Sequence, residues 1–156
     1  MTSKIKQKRK IIIGFIGDHD VGKTHAANVL AKKNFHRISI NEKVEEFAKH
    51  LFTKEEIDAN RNYILNNVRR KGVNVHKEYW LNLALISVPD DKNYIIIDDL
   101  STDEAECNKI KVYQIYRPNI SRIKLPDIET IDNDSNIGEF NAKIVKLYEK
   151  LIGHKW

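Results

Sequence analysis

Eight consecutive residues constrain this chain more than any others: Gly17-Asp18-His19-Asp20-Val21-Gly22-Lys23-Thr24. They fit the spacing G-x-x-x-x-G-K-[ST] in full. The run before them, Ile11 to Ile16, is apolar apart from Gly14, as a strand buried on both faces requires. The run after them, about Lys23 to Lys32, reads as a helix. A strand, a glycine-bracketed turn and a helix in that order bring backbone N–H groups and the positive end of a helix dipole to one point. Such a turn cradles phosphate oxygens. Lys23 would add a mobile positive charge at the outer phosphates, and the Thr24 hydroxyl would ligate Mg²⁺. Gly17 through Thr24 are therefore the expected binding residues, with ATP and Mg²⁺ as implied cofactors. Asp18, His19 and Asp20 are less usual guests: two acids oppose a triphosphate unless they face outward or meet an acceptor or the metal. His19 is expected to face solvent.

The rest of the chain alternates short β-rich runs with longer helical ones. Strands are expected at Phe35–Ile40, Tyr94–Ile97, Val112–Tyr116 and, more weakly, Ile128–Ile131. Ser39 and Glu42 have capping-box spacing and open a helix with Val44, Phe47, Ala48, Leu51 and Phe52 on one face. Thr53 and Glu56 repeat that spacing before a helix with Ile57, Ile64, Leu65 and Val68 inward, interrupted at Gly72. His76–Ile86 reads as a further helix burying Trp80, Leu83 and Ala84, followed by a turn at Pro89-Asp90-Asp91. A short helix is expected near Thr102–Lys109, a surface loop over Pro118–Pro126, and an amphipathic helix over about Ile137–Leu151. Five strands joined by helical crossovers predict a parallel, doubly wound α/β sheet. With the glycine motif this is a P-loop NTPase fold with helices on both faces. One domain over residues 11–156 is expected, with residues 1–10 as a basic tail.

A second anchor is Tyr94-Ile95-Ile96-Ile97-Asp98-Asp99, an apolar strand ending in carboxylates. That is the Walker B arrangement, in which an acid holds the metal or its water near the threonine. Asp98 is the favoured metal-side residue and Asp99 the next choice.

Charge and composition bound the partners. The net charge of +5 favours polyanions, whether nucleotides or nucleic acid. The tail from Lys4 to Lys10 carries five of the positive side chains and is a possible nucleic-acid contact, though such contact is not required. No run approaches the roughly 18 apolar residues of a membrane span, and no export signal is evident, so a cytoplasmic location is expected. A single cysteine, Cys107, excludes an internal disulfide. A homodimer stays open.

These residues resemble the phage-type deoxynucleoside monophosphate kinases, relatives of adenylate kinase and dephospho-CoA kinase. The likeness runs from about Ile11 to Leu151. It is carried by the glycine loop, Arg37-Ile38-Ser39-Ile40-Asn41-Glu42, Tyr79-Trp80-Leu81-Asn82, Ile97-Asp98-Asp99-Leu100, Ile115-Tyr116-Arg117-Pro118 and Ile131-Asp132-Asn133-Asp134. The resemblance implies strand order 2-3-1-4-5, and an acceptor-side helical segment over about residues 41–88. It departs from the family where Ser101 stands in place of an arginine, where no long lid insertion follows Asp99, and near Glu45 and Ser121.

The implied reaction is phosphoryl transfer from ATP-Mg²⁺ to a deoxynucleoside monophosphate. Such catalysis is mainly positioning and charge neutralisation. Lys23, Arg117, Arg69 and Arg70 are the expected catalytic cations, with Glu42, Arg61, Arg69 and Trp80 on the acceptor side. Two alternatives stand beside it. One is a kinase of a hydroxyl on DNA or a modified base, for which Glu42 or Asp18 would serve as base. The other is a nucleotide-binding structural or regulatory protein with reduced catalysis.

Overall fold

The computed structural model of the chain describes residues 10–107 and 110–153. The basic tail, apart from Lys10, lies outside them; the helix expected to reach Lys109 already ends at Ala105, capped by Glu106, and residues 108 and 109 lie outside. In chain order the elements are β1 (Ile11–Ile16), α1 (Lys23–Ala31), β2 (His36–Ile38), α2 (Ile40–Leu51), α3 (Lys54–Ala59), α4 (Arg61–Val75) and α5 (Tyr79–Ile86). They continue with β3 (Tyr94–Ile97), α6 (Thr102–Ala105), β4 (Lys111–Tyr116), β5 (Glu129–Asp132) and α7 (Ile137–Ile152). The strands form one five-stranded sheet in the order β2-β3-β1-β4-β5, and every pairing is parallel. Class, direction and order are those expected.

Side-chain alternation along the strands builds two cores. Ile13 and Phe15 of β1, Ile96 of β3 and Ile115 of β4 pack against Ala27 and Leu30 of α1 and Phe140 and Ile144 of α7. On the other face, Ile95, Ile97 and Val112 meet Val44 and Ala48 of α2, Val68 of α4, and Trp80, Leu81 and Ala84 of α5. Each fully buried isoleucine contributes about 2 kcal/mol. This explains why the central strands are apolar on both faces. Among the described residues, no helix is long and apolar enough to cross a membrane.

Several boundaries differ from expectation, each for a local reason. The strand expected over Phe35–Ile40 is only His36–Ile38, because Ser39 caps α2 and the fully buried Ile40 is its first helical residue. The Ser39 hydroxyl accepts from the Glu42 N–H at 3.3 Å. Asn60 divides the third expected helix into α3 and α4. Thr53 and Glu56 form the full capping box on α3.

Gly72 does not interrupt its helix: α4 runs through it to Val75. A Cβ there would stand 2.4 Å from Trp80 Nε1. The glycine lets the indole lie against α4 and donate to the Arg69 carbonyl at 2.8 Å. Burial of the tryptophan offsets the roughly 1 kcal/mol that glycine costs in a helix. α5 starts at Tyr79 rather than His76, and it buries Leu81 where Leu83 was expected. The loop over Pro118–Pro126 is irregular but anchored. Gln114, buried in β4, donates to Ile123 O at 2.8 Å and accepts from Leu125 N at 2.7 Å.

Candidate functional site

In a parallel sheet, the carboxyl ends of the strands form the edge where loops converge. β1 pairs with β3 on one side and β4 on the other. The Gly17–Thr24 loop therefore leaves the sheet between the ends of β3 (Asp98, Asp99) and β4 (Arg117).

Packing determines the shape of the loop. A Cβ on Gly17 would stand 2.6 Å from the Ile115 carbonyl oxygen, a backbone atom that cannot step aside. Gly22, at φ 110°, is the N-cap of α1 in the left-handed region that favours glycine. Between them Val21 is fully buried, and its carbonyl accepts from Asn133 Nδ2 at 3.0 Å. No side chain caps α1 and its first turn carries no acid, so the positive end of its dipole is uncompensated by its own sequence. Lys23 Nζ donates to Gly17 O at 2.5 Å, spanning the loop. Burial lowers its pKa, while the carboxylates of Asp99, Asp98 and Asp18 oppose that shift. Thr24 is exposed, and among the described residues its hydroxyl has no protein partner.

The acids within the loop turn aside. Asp18 Oδ2 accepts from the Arg122 N–H at 3.0 Å, which ties the loop to the Pro118–Pro126 segment. Asp20 is exposed, with His19 Nε2 at 3.5 Å from its Oδ1, and His19 faces solvent as expected. Arg117 leans over the loop from β4, its Nη1 at 3.4 Å from Asp20 O.

The two aspartates after β3 have different environments. Asp99 binds the start of α2: Oδ1 accepts from Ile40 N at 2.7 Å, and Oδ2 accepts from Ser39 Oγ and Asn41 N at 2.8 Å each. Asp98 is 3% exposed. Its Oδ2 accepts from Nε of Arg37 at 2.7 Å and also from Nη2. Its Oδ1 is buried and, among the described residues, has no hydrogen-bond partner. Burial, then the neighbouring Asp99 charge, raises the Asp98 pKa from 3.8 to about 6 despite Arg37.

The expected acceptor-side residues do not gather at this point. Arg69 lies near Lys23, but its guanidinium is held by Glu104 Oε2 (2.8 Å), Asp99 O (3.0 Å) and Asn41 Oδ1 (2.7 Å). Glu104 is itself fully buried and forms a capping box with Ser101 on α6. Arg70 is exposed and bonded to Asn67. Arg61 makes a surface ion pair with Glu45 at 2.5 Å. Glu42 is exposed in the first turn of α2. Trp80 is 1% exposed, edge-on to Phe47 and Tyr79, and it sits in the core rather than beside the loop.

Arg37 and Asn133 were missed as site residues. Arg37 had a signal, since it stands in Arg37-Ile38-Ser39-Ile40-Asn41-Glu42, one of the runs that carry the family resemblance. Asn133 stands in the run Ile131-Asp132-Asn133-Asp134, which also carries the resemblance.

Among the described residues, no group of three or more His, Cys, Asp or Glu side chains is placed to hold a metal ion. The donors present, one free hydroxyl and one buried carboxylate oxygen, suit a hard cation that arrives with phosphate oxygens and water as its other ligands. No protein-family model matches this chain, and no curated protein matches it.

Proposed function

We propose that this chain has a P-loop NTPase fold, binds a nucleoside triphosphate with Mg²⁺ at Gly17–Thr24, and transfers a phosphoryl group to a nucleoside monophosphate. One observation carries the reading. A glycine-shaped loop, with Lys23 across it and an uncapped helix behind it, lies beside a buried carboxylate that has one oxygen free. An orphaned buried acceptor is costly unless something outside the protein satisfies it.

Each residue has a physical task in this reading. Backbone N–H groups of the loop and the first turn of α1 bind phosphate oxygens. Lys23 exchanges the Gly17 carbonyl for the outer phosphates. Thr24 and Asp98 would hold Mg²⁺ directly or through water; when bound, it neutralises charge on the transferred group. Arg37 fixes the rotamer of Asp98. Arg117 is the arginine best placed to meet negative charge developing over the loop. A monophosphate acceptor is already anionic at neutral pH, so no general base is needed.

A second reading is favoured by one observation. Arg69, the arginine nearest Lys23 from the helical segment, is committed to Glu104 and Asp99, which suits a nucleotide-binding protein that does not turn over an acceptor. Incubation with labelled ATP-Mg²⁺ and a panel of dAMP, dGMP, dCMP, dTMP and DNA separates the two. Labelled diphosphate supports the kinase. Tight ATP binding with no labelled product from any acceptor supports the binding protein, and label on DNA would indicate a hydroxyl kinase.

A further inference from the structure

A second cavity, of about 590 Å³, opens between α2, α4 and α5. Such a volume is typical of small-molecule sites, roughly 300–1,000 Å³. Its walls are aromatic and aliphatic: Phe47 and Leu51 from α2, Tyr63 and Val75 from α4, and Tyr79 from α5, over a floor formed by Trp80. Tyr63 is 74% exposed and Val75 80% exposed, although burial would favour both.

The polar lining has one sign. Lys71 stands at the cavity, exposed, and among the described residues has no hydrogen-bond or ion-pair partner. Asn67, the one amide side chain of the lining, has both ends engaged, by Tyr63 O at 2.8 Å and by Arg70. No carboxylate lines the cavity.

This groove does not belong to the glycine-loop site. Arg69 faces Asp99 and Glu104, and Lys71 stands about 160° round the helix from it. Trp80 lies between the two sides, its indole N–H on the Arg69 carbonyl.

We propose that the α2–α4–α5 groove is a binding site, separate from the loop, for a small organic anion with a planar aromatic body. The body lies among Phe47, Tyr63 and Tyr79 over Trp80, and the anionic group meets Lys71. Aromatic walls match a flat apolar body, and an unpaired ammonium at the rim matches a single negative charge.

The probe for this site is 8-anilinonaphthalene-1-sulfonate, with its uncharged parent 1-anilinonaphthalene as comparison. The full chain carrying Trp156→Phe reports through Trp80 alone, since the sequence has two tryptophans. Saturable one-to-one binding with energy transfer from Trp80 is expected. Lys71→Gln should weaken the sulfonate about fivefold and leave the parent unchanged. Tyr63→Ser should weaken both. Lys71 and Tyr63 are exposed, and circular dichroism checks their fold; if Tyr63→Ser fails to fold, the Lys71 comparison decides. The proposal is overturned by non-saturating binding, by equal affinity in Lys71→Gln, or by competitive displacement with ATP-Mg²⁺ or with dAMP, dGMP, dCMP or dTMP, since the groove would then belong to the loop site or to its acceptor. It is also overturned if sedimentation shows a dimer that the probe dissociates, since the groove would then belong to a second copy.

Discussion

Replacing Asp98 by asparagine should favour stability more at neutral pH than at acid pH, and it removes the carboxylate proposed to hold the metal. The Asp98 carboxyl is buried, and its pKa rises from 3.8 to about 6, chiefly through burial and then through Asp99. The folded state thus holds a proton at Asp98 more tightly than the unfolded chain does. Between about pH 4 and pH 6 the folded protein binds more protons, so this group's contribution to stability falls as pH rises through that window. At about 1.4 kcal/mol per tenfold change, the cost of ionised Asp98 reaches about 3 kcal/mol above pH 7 and is about 1 kcal/mol at pH 4.5. Asparagine keeps an oxygen for Arg37 and has no charge to bury. The stability difference between Asp98→Asn and the parent should therefore be about 2 kcal/mol more favourable to the variant at pH 7.5 than at pH 4.5. Urea unfolding followed by circular dichroism in a chelator, at both pH values, measures this difference. An equal difference at the two pH values, or a variant that loses more stability at pH 7.5, would refute the claim that burial of this charge outweighs its pairing with Arg37.

Three further substitutions test neighbouring contacts. Arg37→Met leaves the Asp98 carboxyl buried without a donor and should cost about 3 kcal/mol at pH 7.5; in a double-mutant cycle by urea unfolding, most of that loss should vanish in the Asp98→Asn background. Asp99→Ala removes three hydrogen bonds from the start of α2 and should cost about 2 kcal/mol, read as a lower thermal midpoint; an unchanged midpoint would contradict its role as a cap. Gly72→Ala gains about 1 kcal/mol of helix propensity but drives a methyl group into Trp80. It should be net destabilising and, in the Trp156→Phe background, red-shift Trp80 emission; a stabilised protein with unshifted emission would show that α4 has room there.

How much of this was legible in the sequence differs by feature. The sheet was readable because β1 and β3 are apolar on both faces and Gly17–Thr24 has an unmistakable spacing. The final helix was readable from its 3.6-residue stripe. Gly72 misled because glycine punctuation in a sequence cannot reveal an indole arriving from another helix. The two aspartates looked equivalent as neighbours in a chain. Only the register of β2 against β3 places Arg37 beside Asp98 and the start of α2 beside Asp99. Arg69 read as a free cation because Glu104, its buried partner, lies 35 residues further along. Tertiary partners at that range leave no local pattern.

Calorimetric titration of ATP with millimolar Mg²⁺ into the parent protein and into Lys23→Ala tests the central claim most directly. Saturable one-to-one binding by the parent, lost or weakened at least about tenfold in the variant, is the predicted result. No heat of association in the parent, or the same affinity in both proteins, would contradict a triphosphate gripped by the Gly17–Thr24 loop.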